Sequence, residues 1–363
     1  SVEVQFALIK HQIKNNELSF LEAINKLQNL RYIWRGDQLE IDIIKTLASL
    51  YSENKEYRKS LHILRKGLQN LKNPKFFAEL RQEMDRIFDL LFIGGEERHM
   101  PAIDVLAIFD EFRQIINLEQ KGAYVDRLIS RLVELDLLDQ ALVLLQYQFD
   151  HFSEGPVRSY IGARIALIHL IEKRPQQALT IISQTRHPNI QPKLANERRR
   201  LRVHALIALG QYDNATRLLT GDITKEADLL RRNLFWLQND WFALSEVLYR
   251  LIGVPPDNFN DELPADVVNH VFNLAVALRL NNDDAGIAQL RQTYGPFMEK
   301  TILAKGFESL TSAANDNINE IIDIGQDVVI GGNGFDDFID LYYQQLLSVE
   351  DNQFYLNQEL DIN

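Results

Sequence analysis

Cysteine is absent from this 363-residue chain. That excludes disulfides, thiolate metal sites and thiol nucleophiles, and it selects no compartment. No apolar run approaches the roughly twenty residues a membrane-spanning helix requires, so no membrane span is expected. Ten prolines and seventeen glycines are few for this length, leaving long stretches free to be helical. Strand-like alternation of β-branched residues is also scarce. Lysine and arginine are missing altogether from residues 306–363, which hold twelve acidic side chains. The formal net charge is −12, so residues 1–305 are neutral as a whole. A neutral body lacks the basic field on which non-specific nucleic-acid binding rests, and no nucleic-acid partner is expected.

Enzyme motifs are missing too. There is no His-Glu-x-x-His, no phosphate loop ending in Gly-Lys-Ser/Thr and no nucleophile elbow. The eight histidines are scattered. Gly331-Gly332-Asn333-Gly334 follows an apolar run, but without the spacing or the basic residue of a phosphate-binding turn, and it reads as a hinge. Glu96 and Glu97 beside His99 read as a solvated loop rather than a metal site. No catalytic residue, cofactor or metal is therefore expected.

What the chain does have is a returning motif. A helical run ends near Asn, Gly or Lys; a large residue follows, and three positions later a small one opens an apolar run. The clearest copies are Gly210-Gln211-Tyr212-Asp213-Asn214-Ala215 and Lys55-Glu56-Tyr57-Arg58-Lys59-Ser60. The small residue can be followed through Ala23, Ser60, Ala102, Ala141, Ala178, Ala215, Leu244 and Gly286, at a mean interval of about 38 residues. Leu244 breaks the small-residue rule, and the 29-residue interval before it is the weakest link. A period of this length predicts stacked helical hairpins, none able to bury its apolar face alone. The small residue lets the paired helices approach closely.

The expected helices cover Phe76–Phe92, 102–117, 122–135, 138–152, 157–173, 175–186, 195–209, 212–220, 224–238, 241–252 and 265–295. Pro74 is expected to end one helix, Gly295-Pro296 to close the last repeat, and Gly94–Pro101 and 253–264 to be loops. Amphipathic spacing at Ile318, Ile321, Ile322, Val328 and Val329, and again at Phe335, Phe338, Ile339 and Tyr342, suggests a helical cap over 301–347. Residues 348–363 form a polar acidic tail. The expected architecture is thus an all-α, superhelical solenoid of antiparallel helix pairs, about eight degenerate repeats in 1–300, with a C-terminal helical cap.

Leu47, Ala48, Tyr51, Tyr57, Ser60, Leu64 and Gly67 resemble the tetratricopeptide repeat, whose period is 34 residues; the likeness spans residues 15–300. More narrowly, Arg31-Tyr32-Ile33-Trp34-Arg35-Gly36-Asp37-Gln38-Leu39-Glu40, Asp136–Ala141 and Asp283–Ala288 resemble segments of large uncharacterised tetratricopeptide-repeat proteins of alphaproteobacteria. That resemblance implies a bacterial source and the carboxy-terminal region of a longer chain. It slightly favours the periplasm or cell envelope over the cytoplasm, and it brings no functional residues.

In tetratricopeptide arrays the first helices line a concave groove. Aligned to the repeat, Tyr160, Arg164, Arg200, His204, Asn233 and Trp236 would face it. Arg and Asn could grip a carboxylate or peptide backbone, and Tyr and Trp an apolar side chain. The plainer reading is that Arg198, Arg199 and Arg202 solvate their helix or pair with Glu197 and Glu226. The function expected is a non-catalytic scaffold that binds a protein or peptide, or another part of a longer parent chain. The alternatives are a peptide-sensing regulatory domain, or a helical arm of a larger cell-envelope enzyme.

Overall fold

The structure, a computed structural model, describes residues 1–312 apart from positions 35, 71–72, 117, 153–154 and 259–260. Among the described residues there are seventeen α-helices and no strand. In chain order they are α1 (Val2–Lys14), α2 (Phe20–Ile33), α3 (Gln38–Glu53), α4 (Tyr57–Asn70), α5 (Pro74–Phe92), α6 (Ala102–Phe112) and α7 (Leu118–Glu134). There follow α8 (Leu138–Phe152), α9 (Gly155–Ile171), α10 (Pro175–Gln184), α11 (Pro192–Ala208) and α12 (Tyr212–Leu219). The last five are α13 (Lys225–Leu237), α14 (Trp241–Ile252), α15 (Ala265–Leu280), α16 (Asp284–Met298) and α17 (Ala304–Thr311). The fold is an all-α solenoid of antiparallel helix pairs.

The turn within each pair is one structure repeated. Asn16, Lys55, Asp136, Lys173, Gly210, Asn239 and Asn282 all adopt left-handed backbone, with φ between 56° and 70°. In each turn the left-handed residue's N–H bonds the carbonyl three residues back, and the next N–H reaches the carbonyl five back, as in Lys55 to Ser52 and Glu56 to Tyr51. Those two bonds satisfy carbonyls that a helix end leaves open. Six of the seven left-handed residues are not glycine, at a cost of roughly 1–2 kcal/mol each. Packing outweighs it. After Asn239, α14 buries Leu244, Val247, Leu248, Leu251 and Ile252, at about 1.5–3 kcal/mol per side chain.

Five residues beyond the left-handed one, in the six turns from Lys55 to Asn282, lies a buried position: Ser60, Ala141, Ala178, Ala215, Leu244 and Ile287. It is the fourth residue of α4, α8, α10, α12 and α14. Ala23 is likewise the fourth residue of α2. Two expected copies are corrected. Gly286 falls one residue before the equivalent position; there an added Cβ would lie 2.6 Å from Asp283 Oδ2 and 2.8 Å from Leu278 Cδ2. Ala102 is the first residue of α6, not the fourth, because Gly94–Pro101 is no extended loop. It folds as a turn of 3-10 helix over Glu96–His99, with Glu97 buried. The short 29-residue interval reflects chiefly the 13-residue α13, against 17 in α11, with a shorter α12 and a shorter linker after it adding the rest.

Prolines correct three further boundaries. Pro74 opens α5 behind the Asn73 cap rather than ending α4. Pro192 opens α11, three residues before the expected start. α16 runs through Pro296 to Met298. A proline one turn from a helix end forfeits a single hydrogen bond, and burial of Tyr294, Phe297 and Met298 holds the turn in place.

The chain divides into two compact units, Ser1–Ala141 and Leu142–Asn363, with α8 spanning the division. In each, successive helices pack on one another, and odd-numbered helices also touch each other: α3 with α5 and α5 with α7 in the first unit, α9 with α11 and α11 with α13 in the second. First helices thus form one layer and second helices another. In the first unit Phe92 stacks on Tyr124 at 5.2 Å and meets Phe109 edge-on at 6.2 Å. In the second, α17 lies against α15 and α16 and adds Phe307 and Leu310 to a core that includes Leu278 and Leu290. Residues 313–347 of the expected cap, and the tail, lie outside the described residues.

One junction ties three helices together. Gly162 of α9 sits so close to Thr185, the residue that ends α10, that a Cβ there would fall 2.2 Å from Thr185 Oγ1. Ser159 Oγ donates to Thr185 O at 2.5 Å. Arg198 of α11 donates to Ser159 O, to Ile182 O at 2.7 Å and to Thr185 O at 3.1 Å. A guanidinium thereby closes the carbonyl end of a neighbouring helix, where a cation is favoured by the helix dipole.

Candidate functional site

The six side chains expected to line a groove sit on α9, α11 and α13, where the helices are covered on most sides. Tyr160 and Arg164 are brought together, the guanidinium carbon 5.6 Å from the ring centroid, and Arg164 has no exposed surface. Arg200 donates to Thr224 Oγ1 at 2.9 Å and lies 3.5 Å from Asp222 and 3.6 Å from Glu226. It joins α11 to the start of α13 and is only 8% exposed. His204 keeps a partly exposed edge, yet burial pushes its imidazole down to about 4, so it is neutral at physiological pH. Asn233 accepts from its neighbour Arg232 at 3.2 Å.

Trp236 is 8% exposed and packs edge-on against Trp241 of the same pair at 5.4 Å. The expectation of an open surface carrying Tyr160 and Trp236 is thereby corrected. Both rings are consumed by packing, because large aromatics gain more from burial between helices than from facing water. Arg200 is turned inward by two carboxylates. The arrangement joins elements rather than presenting a shared grip.

Arg198 and its relatives are structural as well. Arg231 of α13 donates to Leu219 O and Asp222 O, both at 2.6 Å, at the carbonyl end of α12. Arg279 of α15 donates to Leu310 O at 2.7 Å and Ser312 O at 2.9 Å, at the end of α17. Arg131 of α7 reaches Met100 O, which ends the 3-10 turn. Arg198 and Arg231 are each the seventh residue of their helix, whereas Arg131 and Arg279 reach from the last turn of theirs, so the four caps share no single periodic sequence signal.

Each unit also carries an open groove. In the first unit a groove of about 1110 Å³ is bounded by α2, α3, α4 and α5 and includes Tyr32, Tyr51, Arg31, Lys59 and Arg65. Its cations are engaged. Arg65 lies 3.1 Å from Glu111 and 4.7 Å from the Phe112 ring centroid. Lys59 pairs with Glu56 and lies 5.9 Å from the Tyr51 ring centroid.

The groove of the second unit differs. It measures about 990 Å³, lies between α10, α11 and α12, and is lined by Arg186, Arg198, Arg199, Arg202 and Arg217 without any Asp or Glu. Arg202 stands two residues from both Arg200 and His204. Two residues carry a helix about 200° round its axis, so Arg202 faces the second-helix layer, opposite to the expected side. Arg198, Arg202 and Leu206 make an i, i+4, i+8 stripe along the wall. That spacing was the available sequence signal for this groove. Arg186, in the linker after α10, and Arg217, on α12, left none.

Among the described residues no group of three or more His, Asp or Glu side chains could hold a metal ion. No described helix is long and apolar enough to cross a membrane. No protein-family model matches the chain, and neither a curated protein nor a solved structure does.

Proposed function

We propose that this chain is a non-catalytic scaffold that binds a protein or peptide, its helix pairs being degenerate tetratricopeptide repeats. The observation that supports this reading is the groove of α10, α11 and α12. Helices of two successive pairs build it, and it offers guanidinium, amide, hydroxyl and leucine side chains together. A rigid, mixed polar and apolar concavity is what a peptide chain requires. The binding surface lies on the second-helix layer, since the first-helix layer is filled by its own ion pairs and aromatic contacts.

A photo-crosslinking residue placed in the full chain tests this. At Ser183 or Gln211, both groove-lining and exposed, it should capture a discrete protein in cell extract. At Lys305, exposed and outside the groove, it should not. Equal labelling from all three positions, or none from any, overturns the scaffold reading.

A further inference from the structure

We propose that the arginine groove between α10, α11 and α12 is a docking site for a carboxylate-rich peptide segment of a partner protein, gripped by Arg186, Arg202 and Arg217. The inference rests on the scaffold reading and adds the chemistry of the partner.

The charge arrangement carries it. Several other cations of this unit have anions, and so does Arg199 in the groove's own lining. Arg199 lies 2.7 Å from Asp222, Arg231 2.6 Å and Arg250 2.9 Å from Asp228, and Lys225 3.3 Å from Asp266. Arg186 and Arg202 make neither a hydrogen bond nor an ion pair among the described residues, and both are exposed. Arg217, also exposed, donates only to Asp213 O at 3.4 Å and to Asn214 Oδ1. Beneath them Arg198 is buried on carbonyl oxygens. Burial brings it down to about 10, which still leaves it charged at neutral pH. Arg186, Arg202 and Arg217 therefore gather positive charge here without a carboxylate partner, in a body that is neutral as a whole.

The rest of the lining selects among anions. Single-stranded nucleic acid is held by aromatic stacking along a basic track, and no aromatic residue lines this groove. A peptide meets a better match. Guanidinium forks take carboxylates bidentately. Gln176, Gln211 and Asn214 supply amides for a peptide backbone, and Leu179, Leu206 and Leu218 a strip for apolar side chains.

The test uses the full chain and a fluorescent twelve-residue probe of alternating Glu and Leu, followed by anisotropy at low and physiological salt. Saturable binding is expected, weakened tenfold or more by Arg202→Glu and further by adding Arg186→Glu. A probe with Gln for Glu should bind at least tenfold more weakly. Lys305→Glu makes the same charge change outside the groove and should leave affinity within twofold. Both groove arginines are exposed, so the variants should keep the wild-type melting temperature.

Absence of probe binding, equal weakening by Lys305→Glu, or tighter binding of an oligothymidine of similar length would overturn the proposal. So would a crosslinker at position 202 that captures residues 313–363 of the same chain, because the groove would then be filled from within. Crosslinking at Ser183 separates the two readings. Capture of a protein there, with no binding of the acidic probe, defeats the acidic chemistry and leaves the scaffold standing; failure of both defeats the scaffold.

Discussion

Arg198 is the side chain on which the sequence and the structure part most clearly. In the run Glu197-Arg198-Arg199-Arg200-Leu201-Arg202 it reads as one solvated arginine among several. In the fold it is 6% exposed and gathers carbonyls from α9 and α10. Such burial was illegible because α11 is covered on most sides, with Leu194, Arg198, Arg200, Leu201 and Val203 all buried. A helix of that kind has no clean apolar stripe to orient the reading. Arg198→Met should strand at least two buried acceptors and destabilise by roughly 2–4 kcal/mol in a denaturant melt, while Arg198→Lys, which retains the charge, should lose less. A loss under about 0.5 kcal/mol for Met would show that the carbonyls find other partners. His270 offers a second test. Burial, reinforced by Arg232 donating to Nε2 at 2.7 Å, pushes the imidazole down to about 4, against 6.5 for the ordinary group. Asp266, which Lys225 offsets, opposes the shift. The folded state therefore refuses a proton that the unfolded chain accepts. Stability from this group is complete above about pH 6.5 and falls as pH drops towards 4, by up to roughly 3 kcal/mol. His270→Gln should flatten that part of the stability–pH curve, and an unchanged slope would place the titration elsewhere.

At the scale of the element, the hairpins were largely legible, and the Asn, Gly or Lys that ends the first helical run is the left-handed residue in six of the seven turns. The small residues at Ser60, Ala141, Ala178 and Ala215 gave the register because close packing admits few substitutes there. The left-handed turns carry glycine only at Gly210; their exact conformation was not legible at Lys55, Asp136 and Lys173, since packing rather than propensity holds them. The third copy was misplaced for the same reason. Its turn is 3-10, and the ordinary motif therefore has nothing to anchor it. The α9–α10 junction gives the sharpest prediction at this scale. Ala178→Leu should overpack the pair by roughly 1–3 kcal/mol. Gly162→Ala should cost a similar amount, because the added methyl meets Thr185 backed by Arg198. Thermal melts of both variants check this. If Gly162→Ala melts with the wild type, α9 and α10 are free to separate, and the close approach is not a constraint.

For the molecule as a whole, the contacts that matter are short in range. Within the second unit each helix from α9 onward packs on its successor, and α9 with α11, α11 with α13 and α15 with α17 also touch. A long array held in this way behaves approximately as a chain of nearest-neighbour interfaces, in which damage stays near its origin. Sequence could show the period and the neutral body, but not where charge is left over. That depends on which arginines the fold turns inward to close helix ends and which remain outside. The local character of the stability is measurable by hydrogen exchange on the full chain. Ala178→Leu, at roughly 1–3 kcal/mol, should accelerate exchange in α9, α10 and α11 by roughly five- to a hundredfold. Exchange in α15 and α16 should stay close to wild type, because no helix of the injured pair touches them. If amides across the whole second unit accelerate by one common factor, the unit opens all at once, and the groove of α10 to α12 is coupled to every other pair. If acceleration is confined to α9–α11, a partner bound in that groove should protect those same three helices and leave the exchange of α15 and α16 unmoved.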